Sequence, residues 1–267
     1  MQFTRDQKIV AGALLGALLV VGGVYAYRRY SQSYIYGPLN GTLQGPVALG
    51  QPGPLASGEP AMGFNGKNTG ITFSRPVSVG SNWTWEGWIY SSNLTGPILA
   101  LSQKPGLSAQ ALDALYLGNF PGYGPLLGVN TAYSLTNGLI TAPAQTGQWM
   151  YAVVTNTSQG LTLWVNGKHH GPISTHQNPT GSFYPTIGTA NMVNWYSNTG
   201  NYFAGRLSHI AIYSTALSST TIRAHYQAAQ SRTIRAYSRT VLASQPQAYW
   251  PLTDTSGTIA HQVVGVH

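Results

Sequence analysis

Two different hydrophobic patterns run along this chain. The first is a continuous apolar segment, IVAGALLGALLVVGGVYAY, which covers Ile9–Tyr27 without a charged residue. As a helix rising about 1.5 Å per residue, it is expected to be about 28 Å long, close to the roughly 30 Å hydrocarbon core of a bilayer. We therefore predict that residues 1–30 form an N-terminal transmembrane anchor, with the lipid bilayer as its partner.

Two features of this segment bear on its role. Basic residues stand on both sides of it, so the positive charges do not fix its orientation. A cleaved signal peptide is the competing interpretation, since Val24-Tyr25-Ala26 offers small residues to a peptidase. Gly12 and Gly16 make a GxxxG pair, which lets two membrane helices pack closely. Such pairs also occur by chance in apolar helices, so both interpretations of the glycines stay open.

The second pattern is a series of short runs rich in β-branched and aromatic residues, separated by Gly, Pro, Ser and Asn. The clearest runs are 71–73, 83–90, 98–102, 114–117, 149–155, 161–165 and 206–213. Asn166-Gly167 follows one of them and is a strong signal for a two-residue hairpin turn, because both turn positions need a positive φ. These runs predict an all-β fold of antiparallel strands.

The periodicity changes near residue 218. Ser218 is a good helix N-cap, and apolar residues then recur at helical spacing, which predicts a helix from Ser219 towards Ser231. A second helical stretch is expected after a break, through Tyr237 and Val241. The tail from Ala248 returns to a strand-like pattern.

Acidic residues are scarce, and this narrows the possible chemistry. The chain has 13 Lys and Arg but only 5 Asp and Glu, and charged residues make up 7% of it. The acids are Asp6, Glu59, Glu86, Asp113 and Asp254. Hydrolysis of sugars normally needs two carboxylates placed together, and no local pair exists. We therefore expect no enzymatic activity, no metal site and no cofactor, except that backbone and Asn carbonyls leave a weak calcium site open.

Two other partner classes are disfavoured by composition. The chain has no Cys, which excludes disulfides, thiolate zinc sites and cysteine nucleophiles. The net charge of +8 reflects few acids rather than a basic stripe, so a nucleic-acid partner is not expected.

Several strings in the β region together resemble the laminin G-like, concanavalin A-like lectin/glucanase domain family. They are 61–66 (AMGFNG), 83–89 (WTWEGWI), 149–154 (WMYAVV), 163–168 (LWVNGK), 187–188 (IG), 203–213 (FAGRLSHIAIY) and 216–218 (ALS). The resemblance implies a two-sheet antiparallel β-sandwich of the jelly-roll type, followed here by a short C-terminal helix. It also implies that the tryptophans at 83, 85, 88, 149 and 164 lie in the core.

The chain departs from this family in two places. Ser208-His209 stands where the family usually has an acidic pair, so a metal ligand there is not expected. The glucanase branch carries a strand with several catalytic acids, and no run of that kind is present.

The order of the segments resembles a circular permutation. Residues 248–258 (AYWPLTDTSGT) resemble the segment that usually opens the domain, yet they stand at the C-terminus. Because domain termini lie close together, we expect the tail to complete its own sandwich, with Tyr249–Leu252 paired in a sheet and His267 near 36–41. Donation to a neighbouring subunit and a truncated second copy are the alternatives. The predicted organisation after the anchor is a linker with first irregular strands (31–60), the sandwich (61–217), a helical segment (218–243) and the completing strand (244–267).

A loop at 191–202 is rich in aromatic and amide side chains, which bind sugars by stacking and hydrogen bonding. The candidate glycan-binding residues are Asn194, Trp195, Tyr196, Asn198 and Tyr202. The competing interpretation is that Trp195 packs on the sandwich or on a neighbouring subunit. The sequence thus predicts an oligomeric, membrane-anchored, lectin-like protein on a cell or virion surface, for glycan binding or adhesion. The alternative is a structural protein, a minor capsid or spike component of a membrane-containing virion, that contacts neighbouring proteins only.

Overall fold

A computed structural model describes residues 34–36, 39–91, 93, 95–120, 124–131, 140–173, 180–193, 201–231 and 236–265. The contacts divide the chain into two compact units, Met1–Ile35 with Gly265–His267, and Tyr36–Val264. The second unit holds the two larger sheets and both helices described below. Within the described residues, no helix is both long and apolar enough to cross a membrane. The anchor predicted at Ile9–Tyr27, including Gly12 and Gly16, lies outside the described residues.

The described residues form strands and two helices at the following positions. The strands are β1 (Tyr34–Tyr36), β2 (Gly41–Gln44), β3 (Ala48–Pro52), β4 (Pro60–Asn65), β5 (Gly70–Thr72), β6 (Val77–Val79), β7 (Trp83–Ser91), β8 (Gly96–Ser102), β9 (Ala111–Phe120), β10 (Gly124–Thr131), β11 (Ile140–Pro143), β12 (Trp149–Thr157), β13 (Gly160–Val165), β14 (Lys168–Ile173), β15 (Gly181–Ile187), β16 (Ala204–Tyr213), β17 (Ala248–Trp250), β18 (Ile259–Ala260) and β19 (Val263–Gly265). The helices are α1 (Ser219–Ala228) and α2 (Ala236–Ala243).

Two antiparallel sheets face each other as a sandwich. The nine-stranded sheet has the order β11-β10-β9-β8-β15-β5-β2-β18, and β6 also pairs with β15. The eight-stranded sheet has the order β14-β13-β12-β7-β16-β4-β3, and β17 also pairs with β16. The prediction of an all-β, two-sheet antiparallel sandwich is confirmed.

The core lies between the sheets and follows the alternation of side chains along each strand. In β7, Trp83, Trp85 and Ile89 point into the core, and the rings of the two tryptophans stack with centroids 4.6 Å apart. The intervening residues of β7 point to the outer face of the eight-stranded sheet. That outer face therefore carries Glu86, Trp88 and Tyr90.

Helix α1 begins at Ser219, where the sequence predicts. Ser218 adopts an extended conformation and its hydroxyl accepts a hydrogen bond from the Thr221 amide at 3.1 Å, which caps α1. Tyr226 of α1 and Tyr237 of α2 both contact the Trp88 ring, at centroid distances of 6.0 and 6.3 Å. The two helices therefore cover part of the outer face of the eight-stranded sheet.

The C-terminal tail pairs with strands of its own chain through Ala248–Trp250 and Ile259–Ala260, whereas Tyr249–Leu252 was the segment expected to pair. Trp250 of β17 pairs with Ile210 of β16, and Ile259 of β18 pairs with Thr42 of β2. Gln262 also accepts a hydrogen bond from the Leu39 amide at 2.9 Å. The tail thus completes both sheets; His267, predicted near the start of the domain, lies outside the described residues.

Candidate functional site

The connection between β15 and β16 crosses from the nine-stranded to the eight-stranded sheet at the rim of the sandwich. Its two arms are paired at the base, where Thr189 and Tyr202 form an isolated β-bridge. The Ala190 amide donates to the Asn201 carbonyl, and the Phe203 amide donates to the Gly188 carbonyl, both at 3.0 Å. We call this base, residues 188–193 and 201–203, the rim stem.

Amide side chains brace the rim stem. Asn201 Oδ1 accepts from the Met192 amide at 2.9 Å, which ties the two arms together. Asn191 Nδ2 donates to the Leu107 carbonyl at 3.2 Å, and Gln110 Nε2 donates to the Val193 carbonyl, which tie the first arm to the loop before β9. Each of these bonds restricts the chain beside residues 194–200.

The first arm of the rim stem packs against the nine-stranded sheet. Ala190 and Met192 pack against a buried cluster on the nine-stranded sheet that includes Ala100, Ala114 and Tyr116. Val193, by contrast, is 55% exposed. The first arm is thus anchored on the sheet by its apolar side chains and turns an apolar residue to solvent at its end.

Gly96 explains how closely the second arm approaches β8. Its φ is +104°, and a Cβ placed on it lies 2.4 Å from the Tyr202 carbonyl oxygen. Only glycine tolerates both conditions without strain. Gly96 was not among the residues predicted for the site, although a glycine at such a position can indicate a close backbone approach.

Of the residues predicted to bind glycans, the structure describes Tyr202, which is partly exposed on the rim stem. Asn194, Trp195, Tyr196 and Asn198 lie outside the described residues, in the sequence between the two arms of the rim stem. Sequence reasoning did not identify Gln110, Asn191 and Asn201, because their bracing role depends on contacts between separate segments.

A second group of polar residues lies on the outer face of the eight-stranded sheet, beneath the helices. Glu86 accepts hydrogen bonds from the hydroxyls of Tyr151 at 2.5 Å and Tyr213 at 2.7 Å. His225 Nδ1 of α1 lies 2.9 Å from the same carboxylate, and its Nε2 lies 2.9 Å from the Ser244 hydroxyl. We call these five residues the Glu86 cluster.

Burial and hydrogen bonding act in opposite directions on the Glu86 carboxylate. Its burial alone raises the pKa, but the charge of His225 and the hydrogen bonds from His225, Tyr151 and Tyr213 outweigh burial, so the pKa of Glu86 is lowered. Burial, reinforced by the nearby carboxylate, raises the pKa of Tyr151 and Tyr213 well above 10. The Glu86 cluster therefore holds an ionised carboxylate between neutral phenols, sealed from solvent.

A β-bulge places a histidine beside this cluster. His209 has a φ of +54° where the register of β16 shifts against β7. Its Nδ1 lies 2.5 Å from the Tyr249 hydroxyl, which in turn lies 2.8 Å from the Ser238 hydroxyl of α2. Its Nε2 lies 3.4 Å from Glu59. The bulge thus links β17 and α2 through one buried imidazole.

The sequence matches a known protein family over most of the sandwich. The model of the laminin G-like family of concanavalin A-like lectins and glucanases matches residues 65–223, more than half of the chain. The chain belongs to this superfamily. No protein of curated function matches the chain.

Several solved structures align with this chain at low sequence identity. Full-length tailspike protein 2 from Escherichia coli O157:H7 bacteriophage CAB120 aligns with a TM-score of 0.55 and 12% identity, over 85% of this chain and 32% of that one. The heptameric SAP-like pentraxin from Limulus polyphemus aligns with a TM-score of 0.47 and 16% identity, over 73% and 84%. Domain 4 of the extracellular arabinanase AbnA from Geobacillus stearothermophilus, in complex with arabinotriose, aligns with a TM-score of 0.47 and 19% identity, over 70% and 87%. The likeness to the tailspike protein supports the assignment of the fold.

In this superfamily sandwich, the described carboxylates occupy separate settings. Glu86, Glu59 and Asp254 each lie against a different histidine, namely His225, His209 and His261. Asp113 is buried in the nine-stranded sheet. Within the ranges that the structure describes, no group of three His, Cys, Asp or Glu side chains is arranged to hold a metal.

Two adjacent histidines lie on β14, and the strand tryptophans match their predicted positions only in part. His169 pairs with Trp164 and His170 with Leu163, so the two imidazoles start from opposite faces of β14. Trp83 and Trp85 lie in the core, as predicted, and Trp88 is buried beneath the helices instead. The core prediction was wrong for Trp149 and Trp164, which are only partly buried because their strand positions point to the outer face.

Proposed function

We propose that this protein is a non-enzymatic, lectin-like surface protein that binds glycans through the loop carried by the rim stem. In this proposal Ile9–Tyr27 anchors the protein in a membrane, and the sandwich is displayed on a cell or virion surface. Membership of the lectin/glucanase superfamily supports carbohydrate binding as the function class.

The observation that carries the proposal is the construction of the rim stem. The side-chain amides of Asn191, Asn201 and Gln110 form hydrogen bonds that brace the rim stem. The sequence between its two arms contains the candidate residues Asn194, Trp195, Tyr196 and Asn198. Binding residues are commonly found on loops held by a rigid scaffold. Bracing on both sides of this sequence lowers the entropy lost when it binds a ligand, which favours recognition over a merely connecting role.

The setting of Glu86 supports the non-enzymatic part of the proposal. A general acid in glycoside hydrolysis needs a raised pKa and access to the glycosidic oxygen. Glu86 has a lowered pKa, and its side chain is fully buried beneath the helices. A structural role therefore fits this residue better than a catalytic one.

A glycan array tests the proposal. The full chain, purified in mild detergent because Ile9–Tyr27 is apolar, is screened beside Trp195→Ala and Tyr202→Ala, with Trp164→Ala as the matched tryptophan control on the sheet. Specific binding by the wild type and the control, lost in Trp195→Ala, is the expected result. An absence of glycan binding, together with ordered contacts to neighbouring proteins in an assembled particle, favours the structural alternative and contradicts the proposal.

A further inference from the structure

Three neighbouring strands of the eight-stranded sheet place an arginine and two aromatic residues in one row. Trp149 of β12 pairs with Tyr90 of β7, and Tyr90 pairs with Arg206 of β16. All three side chains are partly exposed. We call them the Arg206 row; it lies on the outer face beyond the Glu86 cluster.

The guanidinium of Arg206 is fixed in place. Its Cζ lies 3.9 Å from the centroid of the Tyr90 ring and 5.7 Å from that of Trp149. Its Nη1 donates to the Pro52 carbonyl at 3.0 Å. Stacking and this single hydrogen bond hold an arginine that otherwise has considerable rotamer freedom.

Gly205 makes this arrangement possible. Its φ is +153°, and a Cβ on it lies 2.1 Å from the Tyr90 carbonyl oxygen. Any side chain at this position pushes β16 away from β7. The glycine therefore permits the close strand contact that sets Arg206 over the neighbouring ring.

The charge of Arg206 is not neutralised within the described residues. The ion pairs found there use His209, His225 and His261 as the bases. A guanidinium has five N–H donors, and its planar fork matches a carboxylate in a bidentate geometry. Trp149 adds a partly exposed ring on the same row, the kind of surface on which the C–H face of a sugar stacks.

We propose that the Arg206 row is a second ligand site, which binds a carboxylated sugar such as a uronic or sialic acid residue. The carboxylate accepts hydrogen bonds from the Arg206 guanidinium while the sugar ring packs against Trp149. The Arg206 row shares no residue with the rim stem or its loop. The two binding proposals can therefore be tested independently.

Ligand-observed NMR titrations with methyl glucuronide and methyl glucoside test the proposal, because the two sugars differ only at the carboxylate. The full chain is expected to bind the glucuronide about tenfold more tightly, the increment of a charge-assisted bidentate contact. Arg206→Gln is expected to remove this preference, and Arg206→Lys to lose most of it, since lysine has no planar fork. Trp149→Ala is expected to weaken the binding of both sugars.

The controls separate this site from other effects. Arg75→Gln removes an exposed arginine elsewhere and is expected to leave the preference unchanged, as is Trp195→Ala in the rim loop. Thermal unfolding of Arg206→Lys checks that the fold is retained. Equal affinity for the two sugars, a preference that persists in Arg206→Gln, or displacement of the glucuronide by inorganic sulfate at the same concentration overturns the proposal.

Discussion

Trp250 donates its indole N–H to the carbonyl oxygen of Leu39 at 2.6 Å, across 211 positions of sequence. The same ring packs against Phe73 with centroids 4.6 Å apart and is fully buried. One side chain near the end of the chain therefore joins the beginning of the sandwich to its core. This contact links the C-terminal tail to the start of the sandwich.

Replacing Trp250 is expected to weaken the fold strongly. Trp250→Ala leaves a large cavity and should lower the free energy of unfolding by about 3–5 kcal/mol. Trp250→Phe keeps an aromatic ring but loses the hydrogen bond, and about 1–2 kcal/mol is expected. Urea unfolding followed by tryptophan fluorescence measures both. Trp149→Ala, at a partly exposed position, should cost less than Trp250→Ala; an equal loss contradicts this account.

The glycine beside the rim stem is expected to be irreplaceable. Gly96→Ala forces a Cβ against the Tyr202 carbonyl and should both destabilise the protein and displace the rim stem. Gly106→Ala is a matched control, because Gly106 also has a positive φ (+67°) but has open space around its Cβ position. The control should cost only about 1 kcal/mol of backbone strain. Thermal unfolding and glycan binding of the two variants are compared, and identical behaviour refutes the close-approach argument.

Acid is expected to destabilise the protein through Glu86. Its pKa in the folded state lies below the ordinary value of 4.5, so the unfolded chain takes up this proton first as the pH falls. The contribution to stability is complete above pH 4.5 and is lost as the pH falls towards the lowered pKa. Glu86→Gln lacks this titration, so its unfolding free energy should fall less steeply between about pH 5 and 3. Glu59→Gln, at a partly exposed carboxylate, serves as the comparison; an unchanged slope in Glu86→Gln excludes this role.

Alkali is expected to reveal the buried phenols. Burial and the neighbouring Glu86 charge raise the pKa of Tyr151, Tyr213 and Tyr237 well above 10. Their favourable contribution is complete below pH 10 and is lost as the pH rises towards these raised values. Ultraviolet absorbance of tyrosinate should therefore show a class of tyrosines that ionise only as the chain unfolds. Tyr151→Phe should reduce that class by one residue, whereas ionisation of all tyrosines near pH 10 in the folded protein disproves the prediction.

Local signals in the sequence were sufficient to predict many of the elements. Asn166 and Gly167 both have positive φ, at 50° and 80°, as their hairpin turn requires. Ser218 caps α1 because a short hydroxyl side chain reaches the first free amides of a helix. Pairing of the tail was expected because residues 248–258 resemble the segment that usually opens the domain in this family.

What the sequence did not disclose depends on contacts between distant segments. Trp88 and Trp149 stand on β-strands rich in apolar residues, and only the cover provided by α1 and α2 decides which of them is buried. Glu86 acquires its setting from β12, β16 and α1 together. Arg206 likewise has no distinguishing signal in the sequence, because its position beside Tyr90 follows from the register of β16 against β7. Alternation along a strand predicts two faces, but not what lies against the outer one.

The position of the tail also determines when the two sheets can be completed during synthesis. A ribosome releases β2 to β16 before β17 and β18, although the latter pair with β16 and β2. Until β17 and β18 emerge, the nascent chain exposes an unpaired sheet edge and an unfilled core, and both conditions favour aggregation. The two sheets of the sandwich can therefore be completed only after β17 and β18 have left the ribosome.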